Sequence, residues 1–158
     1  MINSALLYRE FGRPKEVIRL ETAEKSPLAE NHLRVKMRYV PVNASDLIPV
    51  FGSYLHRIKL PQVAGYKGVD IVSEAPANFS HLIGQRVLPL RGEGAWQQSV
   101  DCPASLAIPA PDDIEDILAA RAYINPLAAY LMIKHFSAGK HVLITAAGSD
   151  RALLTLSH

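Results

Sequence analysis

Apolar and polar residues alternate most regularly over residues 33–40, where Leu33, Val35, Met37 and Tyr39 interleave with Arg34, Lys36 and Arg38. A period of two puts the apolar set on one face of a β-strand and the cations on the other. The strand therefore covers a core and turns its cationic face to solvent. Shorter runs at 5–8, 17–21, 69–74, 86–90 and 96–101, each closed by Gly, Pro or Asn, predict further strands. Short strands at this spacing, with little helix between them, predict a small barrel or sandwich over residues 1–111.

The period changes after Pro111. Asp112 with Glu115 three residues on resembles a capping box, and Ile114, Ile117 and Leu118 recur at helical spacing. Asn125 as N-cap, Pro126 at the first position, Lys134 and His135 in the last turn and Gly139 as a stop predict a second helix over 126–136. Residues 141–147 then form a near-continuous apolar run ending in Ala146-Ala147-Gly148-Ser149, the pattern of a strand buried on both faces inside a parallel sheet. Eleven residues follow Ala147, fewer than the dozen or so that a parallel crossover needs. The parallel sheet is thus expected not to close within this chain, which reads as cut short.

Composition narrows the function classes. With 158 residues, 49% hydrophobic and 20% charged, the chain suits one globular domain, or one plus a fragment. The 17 basic residues against 15 acidic form no dense tract, which argues against nucleic acid as a partner. The single Cys102 permits no intramolecular disulfide and no Cys/His metal spacing, and it points to a cytoplasmic protein. His32, His56, His81, His135, His141 and His158 are dispersed without ligand spacing. No apolar stretch approaches the roughly 18 residues of a membrane span, and no basic region precedes an apolar one at the N-terminus. Neither membrane insertion nor export is expected.

Four ordered segments carry a family likeness: Val42-Asn43-Ala44-Ser45-Asp46, Gly52-Ser53-Tyr54, the run from Leu60 through Gly65-Tyr66-Lys67-Gly68-Val69, and Ile124-Asn125-Pro126-Leu127-Ala128-Ala129-Tyr130. Gly84-Gln85-Arg86-Val87 and Gly94-Ala95-Trp96 fall between them in the same order. Together they resemble the medium-chain dehydrogenase/reductase superfamily, and most of all its zinc-independent quinone oxidoreductase and 2-enoyl-thioester reductase branch. The resemblance implies a mainly β fold with α (α+β). A GroES-like, partly open β-barrel over 1–122 would be the substrate and catalytic domain. A linker helix and the first strand of an incomplete Rossmann domain would occupy 123–158. It also implies reduction of quinones, enones or enoyl thioesters with NADPH in the intact family member, a cofactor this chain alone is expected not to bind. Zinc is not expected. The zinc branch places a Cys where Asn43 stands and a Glu where Lys67 stands, and a cationic Lys67 cannot replace a carboxylate.

By the same resemblance Tyr54 and Asn43 are the catalytic candidates. A phenol can supply a proton or a hydrogen bond as hydride arrives, and an amide can both donate and accept. Beside these stand plainer readings, a tyrosine capping a turn and an asparagine forming one. Trp96 matches a cleft wall for substrate, or else packs in the core. Asn125 and Ala128 match the helix beneath the cofactor, although Ala128 lacks the hydroxyl common in relatives. Ala147, Gly148 and Ser149 would open the pyrophosphate turn, which Asp150 and Ala152 then disturb. Arg34, Lys36 and Arg38 could attract an acidic thioester or simply be solvated. The alternative to an enzyme is a non-catalytic GroES-like module that self-associates, as a homodimer or larger, through the orphan strand at 141–147.

Overall fold

The computed structural model describes residues 1–90, 94–137 and 143. The chain divides into two compact units, Met1–Ala120 and Arg121–His158. Two antiparallel sheets build the first. In one, β1 (Ile2–Tyr8) lies between β2 (Ile18–Glu24) and β4 (Gln62–Val63). The other runs in the order β7 (Ser99–Pro103), β3 (His32–Tyr39), β5 (Val69–Glu74), β6 (Arg86–Pro89), β8 (Ala107–Pro109). Ala5 faces Gln97 in an isolated bridge, Gln98 N donates to Ser4 O at 3.0 Å and Leu6 N to Trp96 O at 2.8 Å. These bonds join the two sheets along one side into the partly open barrel expected.

The alternation in β3 works as its period requires on the apolar side. Leu33 and Val35 are fully buried with Val72, Val87 and Cys102. Burial, then the nearby Asp101 carboxylate, pushes the Cys102 thiol up to about 11. The cationic side departs from expectation at one residue. Arg34 is 4% exposed, neither solvated nor open to a ligand. The register decides this, because it sets Arg34 opposite Asp101 of β7 and Glu74 of β5. Arg34 Nε and Nη2 donate to Asp101 at 2.8 and 2.9 Å, Nη1 donates to Glu74 at 2.6 Å, and Nη2 also donates to the Ser26 carbonyl at 2.8 Å. Lys25 Nζ approaches the same Asp101 at 3.3 Å. A guanidinium satisfied on every side tolerates burial that a lone cation does not.

Two elements shift against expectation. Residues 112–115 form a turn, with Ile114 N on Pro111 O, and the helix α3 (Asp116–Ala119) starts only after Glu115. The Asp116 carboxylate is taken by Arg86 at 2.8 Å and Arg38 at 3.3 Å, which anchors the helix start to β6 and β3. In the second unit the helix α4 (Ile124–Met132) begins at Ile124, so Asn125 sits inside its first turn rather than at the cap. A π-helical turn, Ile133–Ser137, continues it. The strand expected over 141–147 lies, apart from Leu143, outside the described residues. Among the described residues no helix is long and apolar enough to cross a membrane.

Candidate functional site

The helical turn α2 (Ala44–Leu47) shows what Val42-Asn43-Ala44-Ser45-Asp46 does locally. Asn43 is extended (φ −115°, ψ 155°), and Asp46, 2% exposed, reaches back to it. The Asp46 carboxylate accepts from Asn43 N at 2.7 Å and from Asn43 Nδ2 at 3.0 Å. This is one arm of a capping box, and it also fixes the orientation of the Asn43 amide. One amide N–H is committed to Asp46, which leaves Asn43 its carbonyl oxygen and one N–H for other partners.

A series of turns over 48–57 follows. Gly52 takes φ +91°, a left-handed conformation that suits a residue without Cβ, and its N–H donates to Pro49 O at 2.9 Å. Two residues later Tyr54 stands 43% exposed, its carbonyl accepting from Arg57 N at 2.8 Å. The backbone of Tyr54 shapes the turn, while its ring faces outward.

The third part of the site is the loop between β4 and β5. Trp96 N donates to Ala64 O at 2.9 Å and Ala95 N to Gly65 O at 3.0 Å. Gly65 takes φ +83° directly against the indole, where a Cβ would stand 2.8 Å from Trp96 Cγ and closer still to Cδ1. Trp96, 8% exposed, packs with Tyr8, Val50 and Ala64, and its Nε1 points to Pro41 O at 3.4 Å. It is thus a core residue that braces both the Gly65 loop and the entry to the Asn43 segment. Lys67 is buried in the same loop, at 4% exposure.

Tyr66 was given no role by sequence reasoning. Only the fold shows that its neighbours from Ala64 to Asp70 are buried. Burial first, then the Tyr54 phenol and the Asp46 carboxylate, raise the Tyr66 phenol above its ordinary value. Burial and Tyr66 do the same to Tyr8, which is 1% exposed. Val50 ahead of Tyr54, Ala64 ahead of Tyr66 and Leu47 at the end of α2 all pack on the core cluster of Tyr8 and Trp96, so the segments carrying Asn43, Asp46, Tyr54 and Tyr66 gather over one buried floor.

In the second unit α4 carries Asn125 and Ala128, both partly buried, and Lys134 Nζ sits 5.7 Å from the centre of the exposed Tyr130 ring. Ala147, Gly148 and Ser149 lie outside the described residues. Among the described residues no three His, Cys, Asp or Glu side chains group to hold a metal ion. A groove of about 860 Å³ runs along β1, lined by Asn3, Arg9, Glu21, Lys25 and Gln97 among others, and contains none of the clustered residues. That groove is lined by ion pairs, Arg9 with Glu21 and Lys25 with Asp101.

No protein-family profile matches the chain. It is 34% identical over 133 residues to the mitochondrial enoyl-[acyl-carrier-protein] reductase of Xenopus tropicalis, spanning 83% of this chain and 38% of that protein. A Bacillus thuringiensis structure assigned as an NADPH:quinone reductase superposes with a TM-score of 0.91 at 42% identity, over 98% of this chain and 48% of its own. The chain belongs to the medium-chain dehydrogenase/reductase superfamily, in its zinc-independent branch. A mycobacterial member, solved in complex with NADPH, superposes with a TM-score of 0.82 at 26% identity, over 97% and 47% of the two chains. The chain spans about half the length of these structures and less of the curated reductase. Within the superfamily its open two-sheet unit is the GroES-like N-terminal fold.

Proposed function

We propose that the intact protein is an NADPH-dependent reductase of carbon–carbon double bonds conjugated to a carbonyl, a chemistry shared by 2-enoyl thioesters and quinones. Residues 1–122 carry the substrate chemistry, and 123–158 lead into the cofactor-binding part. The observation that carries this reading is the half-exposed Tyr54 phenol standing in one cluster with an Asn43 amide oriented by Asp46. Its relatives include enoyl-[acyl-carrier-protein] and NADPH:quinone reductases.

Reduction of such a bond needs hydride on one carbon, a proton on its neighbour, and stabilisation of the oxygen that carries charge between the two events. NADPH, when bound, supplies the hydride. The described residues fit that group at one end, since the Asn125 amide in the first turn of α4 can both donate to and accept from a carboxamide. Ala128 offers no polar side chain, and a phosphate role for Ala147, Gly148 and Ser149 rests on the family resemblance alone. Tyr54 delivers its phenolic proton to carbon. Asn43 orients the substrate through its free N–H and carbonyl. Trp96 serves as the wall behind them and does not touch the reacting atoms.

The test follows NADPH absorbance with crotonyl-CoA in one arm and a benzoquinone in the other. Turnover in either arm identifies the class. Tyr54→Phe is expected to lower kcat about 100-fold or more, the range for loss of a general acid. A Tyr54→Phe protein as fast as the wild type with both substrates would remove Tyr54 from the chemistry.

A further inference from the structure

One phenol cannot both deliver its proton to carbon and hold the neighbouring oxygen, so the site needs a second donor. Of the donors around Tyr54, Asn43 has one N–H committed to Asp46 and its other N–H engaged in orienting the substrate, Trp96 directs its N–H to Pro41 O at 3.4 Å, and Tyr8 is 1% exposed. Tyr66 differs from all three. Every residue from Ala64 to Asp70 is buried except Tyr66, which stands 51% exposed.

The backbone that presents it is pinned on both sides. Ala64 and Gly65 are bonded to Trp96 and Ala95, and Gly65 lies flush against the indole. On the other side the chain passes close against β3, where a Cβ on Gly68 would stand 2.8 Å from the Tyr39 carbonyl. A fixed backbone limits where the Tyr66 hydroxyl can reach, and donors held in place stabilise developing charge with little reorganisation at the moment of reaction. The turns leading to Tyr54 and the loop carrying Tyr66 rise from one core cluster, in which Val50 and Ala64 pack with Tyr8 and Trp96 and Leu47 of α2 packs against them, and Tyr54 and Asp46 act electrostatically on Tyr66.

We propose that Tyr66 is a second substrate-contacting donor, its hydroxyl holding the carbonyl oxygen of the substrate while Tyr54 supplies the proton. This role rests on the reductase reading. In the enoyl thioester case the β carbon takes hydride from NADPH, which leaves as NADP⁺, while the C=C electron pair moves onto the carbonyl oxygen. The α carbon then takes a proton from Tyr54, and solvent returns one to that phenolate. Tyr66 keeps its proton throughout and gives only a hydrogen bond.

The experiment labels the intact protein with [13Cζ]tyrosine and titrates it with crotonyl-CoA, and separately with a benzoquinone, in the presence of NADP⁺ so that no turnover occurs. Variants Tyr8→Phe, Tyr54→Phe and Tyr66→Phe assign the three resonances. Tyr54 and Tyr66 are expected to shift together, and Tyr66→Phe to weaken crotonyl-CoA binding about three- to tenfold, the worth of one hydrogen bond. Were Tyr66→Phe to misfold, Tyr66→His assigns the Tyr66 resonance instead, and wild-type spectra then carry the same decision. Movement of Tyr54 with Tyr66 unmoved and its affinity unchanged overturns the role of Tyr66 and leaves the reductase reading standing. Binding of neither probe, seen as resonances that do not move in any arm, overturns that reading and the role of Tyr66 with it.

Discussion

At the scale of single residues the charge of Arg34 is buried between two acids. A salt bridge at the surface contributes about 0–1 kcal/mol, but the Arg34 side chain is 5% and the Asp101 side chain 18% exposed. Removing one partner from such a pair leaves the other buried and uncompensated. Arg34→Met is therefore expected to destabilise by about 3 kcal/mol, read by urea unfolding. Burial alone would raise the Asp101 carboxyl, yet the hydrogen bond from Arg34 and the charge of Lys25 outweigh it and hold the group below the ordinary carboxylate range. A carboxyl depressed in the folded state stabilises above its unfolded value and loses that contribution as pH falls through its folded one. Wild-type melting temperature is thus expected to fall as pH drops below about 4, and Asp101→Asn to be less stable at neutral pH with a flatter acid limb. An acid limb unchanged by Asp101→Asn would assign the loss to other carboxyls. Asp70 opposes this trend. Burial, then Asp116, raises it against the pull of Arg38, so its contribution favours folding below its folded value and is lost above it.

At the scale of elements the loop from β4 to β5 is the decisive one, because it carries Tyr66 and leans on Trp96. Gly65 and Gly84 share the same backbone conformation, φ +83° at each, yet differ in surroundings. A Cβ on Gly65 would collide with the indole, whereas one on Gly84 would meet nothing within 4 Å. Gly84→Ala is expected to cost only the left-handed penalty, about 1–2 kcal/mol. Gly65→Ala adds displacement of a buried tryptophan and is expected to cost roughly 2 kcal/mol more, with a change in Trp96 fluorescence. Equal losses at the two positions would show that the loop yields without moving Trp96.

At the scale of the whole molecule the three apolar clusters found among the described residues all lie within Met1–Ala120. Those 120 residues are of ordinary domain size. The segment is expected to fold by itself, with a single cooperative thermal transition in calorimetry. A broad, non-cooperative melt of that fragment would show that its core depends on residues beyond Ala120.

What was legible in the sequence follows from periodicity and ordered motifs. Alternation located β3, because a strand half buried against a core must alternate, and short runs closed by Gly, Pro or Asn located β5, β6 and parts of β1, β2 and β7. Two short strands, β4 and β8, escaped notice, since two or three residues are too few to show a period. The ordered motifs identified the superfamily and pointed to Asn43 and Tyr54. They did not foretell that Asp46 would orient the Asn43 amide, since that depends on a helical turn forming between them. The tertiary structure alone decided the rest. A strand's sequence says which face a residue takes but not what stands opposite it, so the acids that bury Arg34 became visible only with the register. Likewise a tyrosine between two glycines is unremarked in one dimension. It becomes a donor held over the site only when Trp96 and Tyr39, distant in sequence, press the loop into place from either side.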